Sequence, residues 1–254
     1  MSDLPETFIS HLIELRDRMI RAIAAILLVF VCLMPWSGEV YDLLAHPLMA
    51  TLPPGAKMIA TGVITPFMVP LKVTLMAAFV LALPIVLYQA WAFVAPGLYA
   101  HEKKFALPLV VGSTSLFLLG MAFCYFFVFG TVFKFIAKVA PASITPAPDI
   151  EQYLSFVMTM FLAFGITFEV PIIVVLLVKF GLVKLATLKD ARPYAIVGAF
   201  VVAAVVTPPD VTSQVMLAVP MCLLFELGLF AARFVEKRED AQAAADLAPE
   251  PPKD

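Results

Sequence analysis

Glu169 stands inside a long apolar run, and its own helix would offer it nothing polar: Gly165, Ile166, Ile172 and Ile173 hold the i±3 and i±4 positions. A carboxylate near a bilayer midplane costs at least about 2.5–3.5 kcal/mol on insertion scales, so it must face protein or water. Two chemistries suit such a group. It is either a protonated acid hydrogen-bonded inside a helix bundle, or a polar contact for a partner or substrate. Pro171 follows two residues later and leaves the carbonyl of Thr167 without its helical donor.

The remaining polar groups in apolar surroundings have plainer readings. Glu226 lies within reach of Arg233, seven residues on, and the two read as a pair near the headgroups. Lys72 can snorkel to the near membrane surface, while Gln89 and Gln214 read as hydrogen-bonding glue between helices. Glu14 and Glu102 fall on adjacent segments of the side richer in Lys and Arg, expected to be cytoplasmic. Singly each is a solvated charge, but two such carboxylates could grip a pair of guanidiniums, because arginine–carboxylate pairing is bidentate and directional. His11, His46 and His101 form no pair at metal-ligand spacing with each other or with Cys32, Cys124 and Cys222, so no metal or cofactor is expected. HExxH, GxSxG and GxxxxGK[ST] patterns are missing, and no pair of intramembrane aspartates stands ready for hydrolysis, so the chain does not read as an enzyme.

These groups need a membrane around them. Of 254 residues 62% are hydrophobic and only 14% charged, with a mean hydropathy of +0.99. A soluble domain carries about 25% charged residues, and this chain could not cover a water-facing surface without large apolar patches. The net charge of −2 provides no basic field for nucleic acid. Charge-free cores at 22–38, 73–100, 105–133, 152–168, 193–209 and 211–225 predict an all-α membrane protein of six transmembrane helices. Spans five and six are the short ones, separated by Thr207-Pro208-Pro209-Asp210, where the prolines cannot continue a helix. Thr65-Pro66 reads as N-cap and first helical residue of span two, and Asp149 with Gln152 has capping-box spacing at the start of span four.

Thirteen of the 17 Lys and Arg residues fall in segments 1–21, 101–104, 179–192 and 233–254. This bias predicts both termini in the cytoplasm. No cleavable signal peptide is expected before span one. Residues 3–20 read instead as an amphipathic helix on the membrane surface, with Phe8, Ile9, Leu12, Ile13 and Met19 on its apolar side. The six-span domain is expected over 1–235, and the Ala-, Pro- and acid-rich 236–254 as a disordered cytoplasmic tail. No internal repeat suggests a transporter of duplicated halves.

Several stretches together resemble the TatC family, the multispanning receptor subunit of twin-arginine protein translocases. They are His11-Leu-Ile-Glu-Leu-Arg-Asp-Arg18, Tyr88-Gln-Ala-Trp-Ala-Phe-Val-Ala-Pro-Gly-Leu-Tyr99 leading into His101-Glu-Lys-Lys104, Tyr153-Leu-Ser-Phe-Val157, Phe164-Gly165 with Phe168-Glu-Val-Pro171, Arg192-Pro-Tyr194, and Gly198-Ala-Phe200 ahead of Thr207-Pro-Pro-Asp210. The resemblance covers about 8–235.

It implies a concave, cupped bundle in the bacterial inner membrane that binds twin-arginine signal peptides of folded cargo on its cytoplasmic face. It also implies recruitment of TatA- and TatB-type single-span subunits, self-association in a multi-copy complex, and export driven by the proton-motive force, with no catalysis. Carried over to this chain, the signal-peptide residues are Glu14, Arg16, Phe93 and Glu102. Glu169 becomes the intramembrane polar residue on the concave side, with Gln214 as a further polar contact, while Pro47 and Asp210 are architectural. Composition alone points elsewhere, to a proton-coupled secondary transporter of a small solute with Glu169 as proton carrier. A receptor would co-purify with single-span partners, whereas a solute carrier would work alone in proteoliposomes.

Overall fold

The computed structural model describes residues 4–50, 57–94, 103–139, 147–207 and 211–246. They are helical throughout apart from connecting turns, and the described residues contain no β-strand. Helix α1 covers Leu4–Leu33 and, after a 3₁₀ turn at Met34–Trp36, α2 covers Ser37–Met49. Next come α3 (Thr65–Val94) and α4 (Lys103–Phe123), the latter running through a π-helical segment, Cys124–Val128, into α5 (Phe129–Val139). Then follow α6 (Ile150–Phe168), α7 (Val170–Lys179), α8 (Leu185–Asp190), α9 (Arg192–Val206) and α10 (Val211–Asp246).

Five stretches are long and apolar enough to cross a membrane: Ile9–Met49, Thr65–Phe93, Leu107–Val139, Ile150–Lys179 and Val211–Lys237. The remaining expected span, the fifth, falls on the shorter apolar helix Arg192–Val206. Its 15 residues agree with the close spacing of the charges that bound it in the sequence. Span six differs from expectation, because its apolar stretch runs 27 residues, through Glu226 to Lys237. The carboxylate does not end it, since Glu226 has an ion partner on the neighbouring helix. Asp210, with the two prolines before it, lies outside the described residues, as does Glu102.

The chain divides into two compact units, Met1–Leu162 and Ala163–Asp254, with the boundary inside α6. In the first unit α1 packs along α3, and Val69, Val73 and Leu154 form a core with Val40, Tyr41, Leu44, Ile150 and Met158 around it. The amphipathic segment 3–20 is not set off from span one. From Leu4 it runs into Leu33 as one helix, because no Gly or Pro interrupts residues 6–33. In the second unit Val174, Val178, Leu185, Leu229 and Ala232 form the core between α7, α8 and α10. Gly181 ends α7 in a left-handed conformation (φ 64°), with its N–H on Val178 O and the Leu182 N–H on Leu177 O, which closes the helix terminus. Beyond residue 235 the chain stays helical to Asp246, where a disordered tail is expected from composition. Glu236 to Ala245 are mostly strong helix formers propagating an existing helix, and propagation needs no new nucleus.

Helix starts follow local chemistry. Asp149 caps α6: its Oδ1 accepts the N–H groups of Glu151 (2.9 Å) and Gln152 (3.1 Å). At α3 the first turn closes on the Ile64 carbonyl, so Thr65 is a helical residue and not the cap. Its hydroxyl donates to Glu151 instead, at 3.4 Å.

Candidate functional site

In the first unit the helical rise of α1 puts His11, Glu14 and Arg18 on one face, at i, i+3 and i+7. Glu14 Oε1 accepts from Arg18 Nε (2.9 Å) and from Arg18 Nη2, and its other oxygen lies 3.9 Å from His11 Nδ1. The His11 ring stacks on Phe93 of α3, with centroids 4.4 Å apart and planes 16° from parallel. Glu14 and Phe93, two of the residues carried over for signal-peptide binding, thus meet through an imidazole. The packing of α1 on α3 positions this group.

Arg16 takes a different course. Its guanidinium donates to Asp17 Oδ1 from Nε (2.9 Å) and Nη2 (2.8 Å) and is exposed, away from the Glu14 face. Sequence reasoning missed His11 and Arg18 as members of the cluster. The signal was available, since His11, Glu14 and Arg18 share a helix face, but the ring stack needs the α1–α3 register.

Glu14 carries a guanidinium already in place, held by a half-buried ion pair. A second arginine from outside could take the place of Arg18, because the exchange keeps the carboxylate paired. The stacked His11–Phe93 surface beside it would cover the aliphatic part of an incoming side chain.

At the other end of this unit Lys72 does not snorkel alone. Its Nζ donates to Glu151 Oε1 at 2.7 Å. Asp149 joins the two segments that flank α3 and α6: its Oδ2 accepts from the Thr61 hydroxyl (2.7 Å) and the Thr61 N–H (3.1 Å). The Ile59 N–H donates to Pro148 O and the Ile150 N–H to Ile59 O. The Thr61 hydroxyl, followed by the backbone donor of Gln152, holds the Asp149 carboxyl below its ordinary value. Pro47 is inside α2, where the Tyr125 hydroxyl donates to Leu43 O and the Tyr153 hydroxyl to Leu44 O.

In the second unit Glu169 occupies the break between α6 and α7. Its N–H donates to Ile166 O, a three-residue turn, and its carbonyl accepts from the Ile173 N–H, with Pro171 in the first turn of α7. Its side chain is buried, 6% exposed. Gln214 of α10 donates from Nε2 to Phe200 O of α9 at 3.3 Å, the interhelical bond expected of it. Glu226 pairs with Arg192 of α9 (Nε–Oε1 2.7 Å, Nη2–Oε2 2.9 Å), not with Arg233 as its spacing suggested. This ion pair across two helices replaces one along a single helix at i+7, where side chains of this length meet less well. Among the described residues no cluster of His, Cys, Asp and Glu could hold a metal ion.

Comparison with known proteins adds the family context. A family model described as Sec-independent protein translocase protein (TatC) matches residues 10–220. The chain is similar to the Sec-independent protein translocase protein TatC of Azotobacter chroococcum, 51% identical over 96% of this chain and 95% of that one. To the TatC of Escherichia coli K12 it is 49% identical, over 90% and 89% of the two chains. It also superimposes on a crystal structure described as the twin-arginine translocase receptor TatC, with a TM-score of 0.77 and 37% identity over 89% of this chain and 99% of that one.

Proposed function

Because the chain belongs to the TatC family of Sec-independent protein translocase components, we propose that it is the receptor subunit that binds twin-arginine signal peptides of folded cargo. The reading sets six spans in the inner membrane with both termini in the cytoplasm. The signal-peptide face is built from Glu14, Phe93 and Glu102, with Arg16 at its edge. TatA- and TatB-type subunits associate through the second unit, with Glu169 and Gln214 as polar contacts, in a multi-copy complex driven by the proton-motive force.

One observation carries the proposal: Glu14 accepts a forked guanidinium beside the stacked His11–Phe93 pair. An arginine of the signal peptide would take the position that Arg18 holds, and exchange of one guanidinium for another leaves the carboxylate paired throughout. This avoids the cost of an uncompensated charge at a membrane surface. A second carboxylate, Glu102, would serve the second arginine.

The exchange makes opposite predictions for the two members of the pair. Glu14→Gln removes the charge and should reduce site-specific crosslinking to an Arg-Arg signal peptide about tenfold, the worth of one charge-assisted bond of about 1.5 kcal/mol. Arg18→Gln removes the internal competitor and should leave crosslinking unchanged or raise it, with protein abundance as control. Equal losses in both variants would show that the pair serves only to hold the helix, and would remove Glu14 from the site.

A further inference from the structure

Proline has no N–H, so within α2 the carbonyl of Leu43, four residues before Pro47, has no helical donor, and the ring crowds that same carbonyl. Stripped of its helical donor, this carbonyl is open to a bond from elsewhere in the chain. The Tyr125 hydroxyl supplies the bond, donating to Leu43 O at 2.9 Å. One residue on, Leu44 O accepts the Tyr153 hydroxyl at 2.7 Å. The two tyrosines come from different elements, Tyr125 from the π-helical segment and Tyr153 from the first turn of α6.

The rings are held from behind. Tyr125 stacks on Phe161 (6.4 Å), Phe161 meets Phe129 (5.2 Å), Phe129 meets Phe133 (5.6 Å), and Phe133 meets Tyr153 (5.8 Å). This chain of rings fixes both hydroxyls relative to α2. The π-helical segment also has a part. Its wider turn shifts the phase of the side chains. Tyr125 faces α2, while the next two residues, Phe126 and Phe127, stay 72% and 62% exposed.

We propose that Pro47 and Tyr125 act as one unit: the proline opens the Leu43 carbonyl, and Tyr125 uses that opening to position α2 on the π-helical segment. Tyr153 is a second, independent fastening, because the residue four after its acceptor is Leu48, which keeps its N–H. Pro47 is thus a positioning residue whose effect is carried by a hydroxyl 78 residues away in sequence.

A double-mutant cycle on the full chain in detergent tests this, read as the midpoint of thermal unfolding. Tyr125→Phe keeps the ring and removes one hydrogen bond, and should lower the midpoint by about 2–4 °C. In the Pro47→Ala background the new N–H can bond Leu43 O, so the same tyrosine change should lose at least half its effect. Pro47→Leu restores the same N–H and gives a second, separate cycle should the alanine variant fold poorly. Tyr153→Phe should cost the same with and without Pro47. Slower export of a folded reporter by Tyr125→Phe, not slowed further by adding Pro47→Ala, would extend the coupling to transport. Two results overturn the proposal: a Tyr125→Phe midpoint indistinguishable from wild type, or an undiminished cost in the proline-replaced backgrounds.

Discussion

Asp149 shows how much one side chain can join. Its two oxygens accept four donors, two from the first turn of α6 and two from Thr61, 88 residues earlier. Donors on a carboxylate favour its charged form, and the carboxyl accordingly sits below its ordinary value. A depressed folded value means stability that is complete above the unfolded value, about pH 4, and is lost as pH falls through the folded one. The expected outcome is a wild-type unfolding midpoint that drops on acidification below about pH 4 more steeply than that of Asp149→Ala. Asp149→Asn, which can still cap, should keep part of the wild-type midpoint at neutral pH but lose its acid sensitivity. Parallel pH slopes for all three proteins would mean that these donors do not see the charge.

The elements were legible in the sequence to the extent that their causes are local. Charge-free stretches located the apolar helices, the Asp149–Gln152 spacing marked the start of α6, and Thr207 with the prolines marked the end of α9. Partners far apart in the chain were not legible. Lys72 with Glu151 and Arg192 with Glu226 depend on which helices become neighbours, and a charge near a helix end gives no hint of its partner. At the candidate site, Glu14 and Phe93 entered through resemblance, whereas His11, which joins them, emerged only from packing. Helix–helix approach was equally hidden. A Cβ on Gly228 of α10 would come within 3.0 Å of both Pro171 Cα and Val174 Cβ of α7, whereas one on Gly198 of α9 meets nothing within 4 Å. Gly228→Val should therefore destabilise by about 1–3 kcal/mol through overpacking. Because it presses on Pro171, two residues from Glu169, it should also weaken whatever depends on that carboxylate. Gly198→Ala should be neutral or stabilising by up to about 1 kcal/mol, since it only trades glycine for a better helix former. Unfolding midpoints of the two variants measured side by side check the contrast, and a tolerated Gly228→Val would mean that α7 and α10 part freely.

For the molecule in its membrane, the second unit has a length problem with a measurable answer. Helix α9 has 15 residues, about 22 Å at the helical rise, against about 30 Å of hydrocarbon. The apolar stretch of α10 is far longer, but the two are pinned together where Arg192, the first residue of α9, pairs with Glu226. Counted from that pin to its start at Val211, α10 is as short as α9, and its surplus extends beyond the ion pair on the opposite side. If the pinned charges sit at the headgroups, the far turn must lie several Å below the other membrane surface, and the bilayer must thin or water must enter there. Such mismatch costs only fractions of a kcal/mol per Å, so thinning is a cheaper response than sinking an ion pair into hydrocarbon. The expected outcome is a shallow but recessed turn. With Cys32, Cys124 and Cys222 replaced, single cysteines at Val211 and Thr212 should react with a membrane-impermeant thiol reagent in intact cells. Spin labels at the same two positions should report a depth below the headgroup plane of the surrounding bilayer. Labels at full headgroup height would instead place Arg192 and Glu226 inside the hydrocarbon, with Leu227, Phe230 and Phe234 of α10 in lipid beyond them, and would leave no thinned patch at this end of the pair.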